Sequence, residues 1–308
     1  MWTGVIYLLA ACFCWSGVFV IPRYMEGFSP IEISLGRFLC FGGVSVMALL
    51  IKRRNLLSRI WWPIWKKAFW LGLISTLICY AATVCCVQYA GSKIATLLFG
   101  LVPIIVAICG NYRKKEYPYK VIAFPILSIF IGVILANLEA FSLEAESIPL
   151  YLLGFGFGII AILCWIGYVL FCFDFMQKHK QVDSFDWVLM IGSSTFCVSI
   201  VVSGVLVGWQ GLERYANLSL GPWVGGSSIL GIVGSWLALY FWTKGNLRLP
   251  ISLVGQLAIF ELIFCLIFLY IVEQRVPPIW EFLGLGLMVL GVMQALASIE
   301  KRKRAISK

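Results

Sequence analysis

Apolar positions along this chain gather into ten long runs, near residues 3–21, 30–51, 66–87, 91–110, 119–138, 149–173, 184–207, 222–243, 250–271 and 277–298. A helix needs about 20 mostly apolar residues to cross a hydrocarbon core about 30 Å thick. The runs meet that length, and the polar stretches between them leave little chain for a soluble domain. The pattern predicts an all-α integral membrane bundle of ten transmembrane helices.

Apolar residues are 61% of the chain and charged residues only 12%. The few charges add an orientation. Lys52, Arg53, Arg54, Arg59, Lys66 and Lys67 follow the second span, and Arg113, Lys114, Lys115 and Lys120 follow the fourth. Lys178 and Lys180 follow the sixth, Lys244 and Arg248 the eighth, and Lys301, Arg302, Lys303, Arg304 and Lys308 the tenth. The other side holds Arg23, Lys93, Arg214 and Arg275, with Glu139, Glu144 and Glu146 between spans five and six. Short cytoplasmic loops collect Lys and Arg, so both termini are expected in the cytoplasm of a multi-pass plasma membrane protein. The net charge of +10 follows from this bias and implies no nucleic-acid partner. The lipid bilayer is the expected partner of the basic loops, through anionic headgroups. Trp61, Trp62 and Trp65, in a basic loop, read as headgroup anchors. The chain reads as a monomer or weak dimer.

Eleven cysteines lie mostly inside the apolar runs and read as small packing residues. The single histidine, His179, falls in a charged loop, and no ligand spacing for a metal is present. No cofactor is implied, and no nucleophile–base constellation points to an enzyme. The first span has neither a basic leader nor a small-residue cleavage site and is expected to be retained. Asn217-Leu218-Ser219 is a glycosylation sequon that has meaning only in a eukaryotic host.

The two halves of the chain resemble each other, dividing near residue 145. Cys14-Trp15 matches Cys164-Trp165, the run from Tyr89 to Leu98 resembles that from Leu247 to Gln256 at an offset of 158, and Gly132-Val133 matches Gly291-Val292. Each half has five spans, and units of odd span count insert in opposite directions. Inverted repeats of this kind place a substrate site at the midplane where the halves meet.

Several segments together resemble the drug/metabolite transporter superfamily in its ten-helix, EamA-type form. They are Trp15-Ser16-Gly17-Val18-Phe19-Val20, Gly36-Arg37-Phe38, the run from Ala95 to Pro103, and the stretch from Leu249-Pro250-Ile251 through Glu273-Gln274-Arg275 to Gly291-Val292. Ile259-Phe260-Glu261 is similar to the YtfF-like branch of bacterial exporters. The resemblance implies a first EamA-like repeat over residues 1–144 and a second over 145–308. It also implies a proton- or gradient-linked inner-membrane carrier of small metabolites, often amino acids, running outward. One departure stands out. Glu261 occupies the position equivalent to Pro103, so an ionisable residue replaces a helix breaker at the same depth.

Glu261 sits near the middle of span nine, where a charge is costly and usually faces a cavity in an ion or substrate pathway. It can release a proton or hold a substrate amine; the alternative is a neutral acid bonded between helices. Arg37, inside span two, can clamp a substrate carboxylate or pair with Glu261; the alternatives are snorkelling or capping another helix's carbonyls. Glu32, five residues earlier, points to a different side of the helix. Ring-bearing polar residues recur as Trp15, Tyr80, Trp165 with Tyr168, and Trp236 with Tyr240. The last two pairs are spaced to share a helix face. With Thr76 and Thr83 they lie on spans one, three, six and eight, which in the resembled superfamily line the central cavity. Glycine-rich stretches such as Gly154-Phe155-Gly156-Phe157-Gly158 read as close-packing surfaces, not phosphate loops. The expected function is secondary transport, and export, of a small metabolite such as an amino acid or related amine by alternating access. A flippase component or membrane enzyme is the alternative, and a channel a third.

Overall fold

The computed structural model of the chain describes residues 1–53, 55–56, 60, 62–138, 147–211, 213–216, 218–274 and 276–306. Arg54, Arg59, Trp61, Glu139, Glu144, Glu146, Asn217, Arg275 and Lys308 lie outside the described residues. Ten membrane-length helical units run through the rest. They are α1 (Trp2–Tyr24), α2 (Pro30–Lys52), α3 (Trp62–Ala90), α4 (Ile94–Lys114) and α5 (Tyr119–Ala136) in the first half. The second half holds α6 (Ile148–Lys178), α7 (Ser184–Trp209), α8 (Leu220–Asn246), α9 (Ile251–Glu273) and α10 (Ile279–Lys301). The fold is all-α, as the ten apolar runs predict.

Local chemistry sets the helix ends. Ser29 and Glu32 form a reciprocal capping box at the start of α2, with Pro30 in the first turn. The Asp183 carboxylate accepts from the Asp186 amide at 2.7 Å and caps α7. Gly91, at φ +89°, supplies the left-handed turn between α3 and α4. Large apolar side chains such as Met47, Phe124, Phe171 and Val205 point outward, as a bundle solvated by lipid requires.

Prominent pairings include α1 with α8, α2 with α7, α3 with α6, α4 with α9 and α5 with α10. Exchanging each helix with its counterpart five places on leaves this set unchanged. Small residues set the close approaches. On α5, a Cβ added at Gly132 would lie 2.7 Å from the Gly284 carbonyl oxygen on α10, and one at Gly284 would lie 2.6 Å from that of Gly132. Gly154 and Gly158 of α6 meet Ala90 and Cys86 of α3 in the same way, whereas Gly156 between them faces open space.

Polar ties join the halves at both ends. At the end rich in Lys and Arg, Arg53 pairs with Asp183 at 3.3 Å and with Asp186 at 3.2 Å. Asp174 takes both Arg113 and Lys114. The Glu116 carboxylate accepts from the Ile251 and Ser252 amides at 2.8 and 3.0 Å, capping α9 from outside. At the opposite end Arg23 meets Glu273 at 2.6 Å and Arg214 meets Glu32 at 3.0 Å.

Among the described residues, departures from regular helix cluster at mid-bundle, and α1 tightens into a 3-10 turn at Gly17–Phe19. Ile74–Ile78 of α3 and Ile232–Leu237 of α8 are π-helical. In α9 the helix stops at Leu257 and restarts at Phe260. Tight turns bridge the gap, with the Glu261 amide donating to the Ala258 carbonyl at 3.1 Å. This reverses the expectation for the Pro103 and Glu261 pair. Pro103 lies within a continuous helix, Ser92–Lys114, while the Glu261 region carries the break without a proline. Proline removes one ladder bond and strains one turn, and neighbouring helices in a bundle can hold such a turn helical.

Candidate functional site

The breaks surround a central cavity of about 320 Å³. It runs from Tyr168, Ile191 and Leu239, on the side of the basic end, to Val87, Ala95 and Thr96 on the other. Trp15, Arg37, Tyr80, Trp165, Tyr168 and Glu261 all line it. Sequence positions far apart thus converge from α1, α2, α3, α6 and α9.

Trp236 and Tyr240 do not line this cavity. They stack on each other at 5.9 Å and present their edges to Phe185 of α7 at 5.6 and 6.4 Å. Tyr240 faces a separate cleft at the basic end. Trp236 lies within the π-helical segment Ile232–Leu237, and Tyr240 follows it. Ser235 and Leu239 take the cavity wall instead.

The same segment explains Arg37. Its Nε donates to Ser235 Oγ at 2.6 Å and its terminal nitrogen to the Gly234 carbonyl at 2.9 Å. The Ser235 hydroxyl in turn donates to the Leu230 carbonyl at 3.0 Å. A π-turn leaves a carbonyl outside the usual i−4 ladder, and a guanidinium reaching from α2 satisfies it. Arg37 therefore holds the irregular turn of α8 while its charge borders the cavity. Glu32 is engaged elsewhere, with Arg214 and with the Ser29 amide. That carboxylate pushes the Arg214 guanidinium, on the loop, above its ordinary range.

Glu261 is half-buried on the cavity wall, in the first turn after the break in α9. Among the described residues its carboxyl makes no hydrogen bond and no ion pair within 4.0 Å, Arg37 included. Arg37 and Glu261 are the charged residues of the lining. The ring faces lie around them. Trp15 meets Trp165 edge-on at 5.5 Å, Trp165 stacks on Tyr168 at 5.4 Å, and Tyr80 meets Phe38 edge-on at 6.0 Å.

The hydroxyls of Thr76 and Thr83 donate to carbonyls one turn back, at 2.6 and 2.8 Å. Their oxygens keep lone pairs for a ligand donor. Ser75, Thr96, Phe38 and Ser235 also line the cavity, and sequence reasoning missed them. Adjacent Ser75 and Thr76 inside an apolar run were the available signal for the first. Nothing in the sequence marks Ser235 over its neighbours. Among the described residues no three His, Cys, Asp or Glu side chains are grouped to hold a metal.

Comparison with known proteins shows what this chain is similar to. Residues 2–138 match the EamA-like transporter family. The whole chain is similar to the inner membrane protein YtfF of Escherichia coli, at 24% identity over 96% of this chain and 95% of that protein. A solved crystal structure shares the fold with a TM-score of 0.78 at 18% identity, covering 96% of this chain and 98% of the other. Ten membrane-length helices thus converge on a central cavity, and the first five of them lie in the segment that matches the EamA-like transporter family.

Proposed function

We propose that the protein is an inner-membrane carrier that exports a small metabolite bearing an amine, an amino acid or a close relative, by alternating access at the central cavity. The observation that carries this reading is the charge arrangement of the lining. A cavity of about 320 Å³ walled by rings contains one anchored guanidinium and one carboxyl with no partner among the described residues. That volume is at the small end of ligand pockets, which run from about 300 to 1,000 Å³. Arg37 suits a substrate carboxylate, Glu261 a substrate ammonium, and Trp15 and Trp165 can face the same cation with their rings. A carboxyl that takes a proton when the ammonium leaves would couple export to the proton gradient. Two inverted halves, residues 1–144 and 145–308, are supported by the helix pairings and by π-segments beginning 158 residues apart. In this reading the basic end, with both termini, faces the cytoplasm.

Counterflow in proteoliposomes tests the reading. Liposomes loaded with unlabelled amino acid or amine should transiently accumulate the labelled compound, which a channel cannot do. Glu261→Gln should abolish gradient-driven transport and weaken exchange. If no amine or amino acid shows counterflow, the substrate assignment fails. If Glu261→Gln transports as wild type with unchanged pH dependence, Glu261 leaves the mechanism.

A further inference from the structure

At the basic end a second concavity, about 690 Å³, opens between the ends of α2, α6, α7 and α8. It shares no lining residue with the central cavity. Its rim carries Lys52, Arg53, Lys180, Lys244 and Arg248, against a single acid, Asp183.

The way these cations are partnered is uneven. Arg53 is neutralised by Asp183 and Asp186. Elsewhere at this end Arg113 and Lys114 share Asp174. Lys52, Lys180, Lys244 and Arg248 have no carboxylate within 4.0 Å among the described residues. Lys244 is half-buried, with its ammonium 4.6 Å from the Tyr240 ring centre and 5.5 Å from that of Tyr7. Arg248 lies over Tyr7 at 5.2 Å and donates to the Lys244 carbonyl. The rings orient two cations and supply no counter-charge.

Four like charges around one concave site repel, and walls of low dielectric focus their field into it. Here Lys244 is half-buried, and the exposed Lys52, Lys180 and Arg248 stand around the same concavity. Phosphate oxygens accept from ammonium and guanidinium groups together, and a phosphate's negative charge would offset part of the surplus. We propose that this cleft binds a phosphate-bearing anion, from either an anionic lipid headgroup or a soluble phosphate compound. The site bridges α2 of the first half and α6, α7 and α8 of the second, so an occupant would tie the halves at this end.

The test is thermal stability of the purified full chain in a neutral detergent, titrated with three probes. These are short-chain phosphatidylglycerol, short-chain phosphatidylcholine as the neutral control, and inorganic pyrophosphate. Phosphatidylglycerol should raise Tm by at least about 2 °C at saturation, because it binds the folded state. Phosphatidylcholine should not. A matching rise with pyrophosphate assigns a soluble phosphate ligand; a rise with phosphatidylglycerol alone assigns a headgroup. The Lys244→Gln, Arg248→Gln double variant should lose the rise. Should it fail to fold, Lys52→Gln with Lys180→Gln, both at exposed positions, should weaken half-saturation about thirtyfold, in line with two lost charge contacts near the surface. No rise with either anion, or a rise that both double variants keep unchanged, overturns the proposal.

Discussion

At the residue scale, Arg37 and Glu261 border one cavity and differ in how they are held. Arg37 supplies two hydrogen bonds to α8, whereas the Glu261 carboxyl has no protein partner among the described residues. Their removal should therefore read differently. Arg37→Met leaves the Gly234 carbonyl without its donor and should cost about 1–3 kcal/mol of stability. Glu261→Gln should change stability by no more than about 0.5 kcal/mol, because no partner is orphaned. Thermal unfolding of the two variants side by side checks this, and equal losses would contradict the geometry. The rings make a second contrast. Trp165→Leu should weaken substrate binding about tenfold, the scale of a lost cation–π contact, while Trp236→Leu should leave affinity near wild type. Trp236 packs against Phe185 and Tyr240, away from the cavity. A binding isotherm for each settles the matter, and a larger loss at Trp236 would sink the cavity assignment.

At the element scale, irregular turns shape the site. The π-segments of α3 and α8 and the break in α9 put Ser75, Thr76, Ser235 and Glu261 around one space. These turns were hard to read from sequence. Pro103, the obvious breaker, sits in a continuous helix, and the interrupted helix has no proline. At the π-turn of α8 the Gly234 carbonyl accepts from Arg37 of α2, a contact nearly 200 residues away in the chain. The close approach of α5 and α10 was easier to foresee, because glycines in apolar helices mark such contacts. Gly132→Leu should destabilise the bundle by more than about 4 kcal/mol, since the new side chain would enter the Gly284 backbone. Gly156→Ala meets nothing within 4 Å and should be neutral or up to about 1 kcal/mol stabilising. Detergent-solubilised yield and Tm of the two variants report the difference.

At the scale of the whole molecule, charge asymmetry and internal ties define two ends. Ion pairs cross between the halves at each end, joined at the basic end by the Glu116 cap on α9, so a rocking motion of the proposed kind would break one set while keeping the other. The basic end should face the cytoplasm. A reporter fused after Lys308 should be active only as a cytoplasmic reporter, and one in the 139–147 loop only as an external one. Reversed signals would overturn the orientation and leave the fold intact.

Class and number of spans were legible in the sequence alone. Ten runs of sufficient length follow from hydrocarbon thickness alone, and side-specific loop charge adds an expected orientation. The sequence also pointed to Trp15, Arg37, Tyr80, Trp165, Tyr168 and Glu261, because polar and ring-bearing residues deep in apolar helices need a reason to be there. Only the tertiary structure decided which of them meet. The helix period assigns Trp236 and Tyr240 a common face, but the packing of α8 turns that face towards Phe185 and puts Ser235 and Leu239 on the cavity wall. Arg37 could have snorkelled, paired or capped; the partner it found is a carbonyl of α8. Spacing along one helix is local and legible, whereas hydrogen bonds between helices depend on how the whole bundle closes.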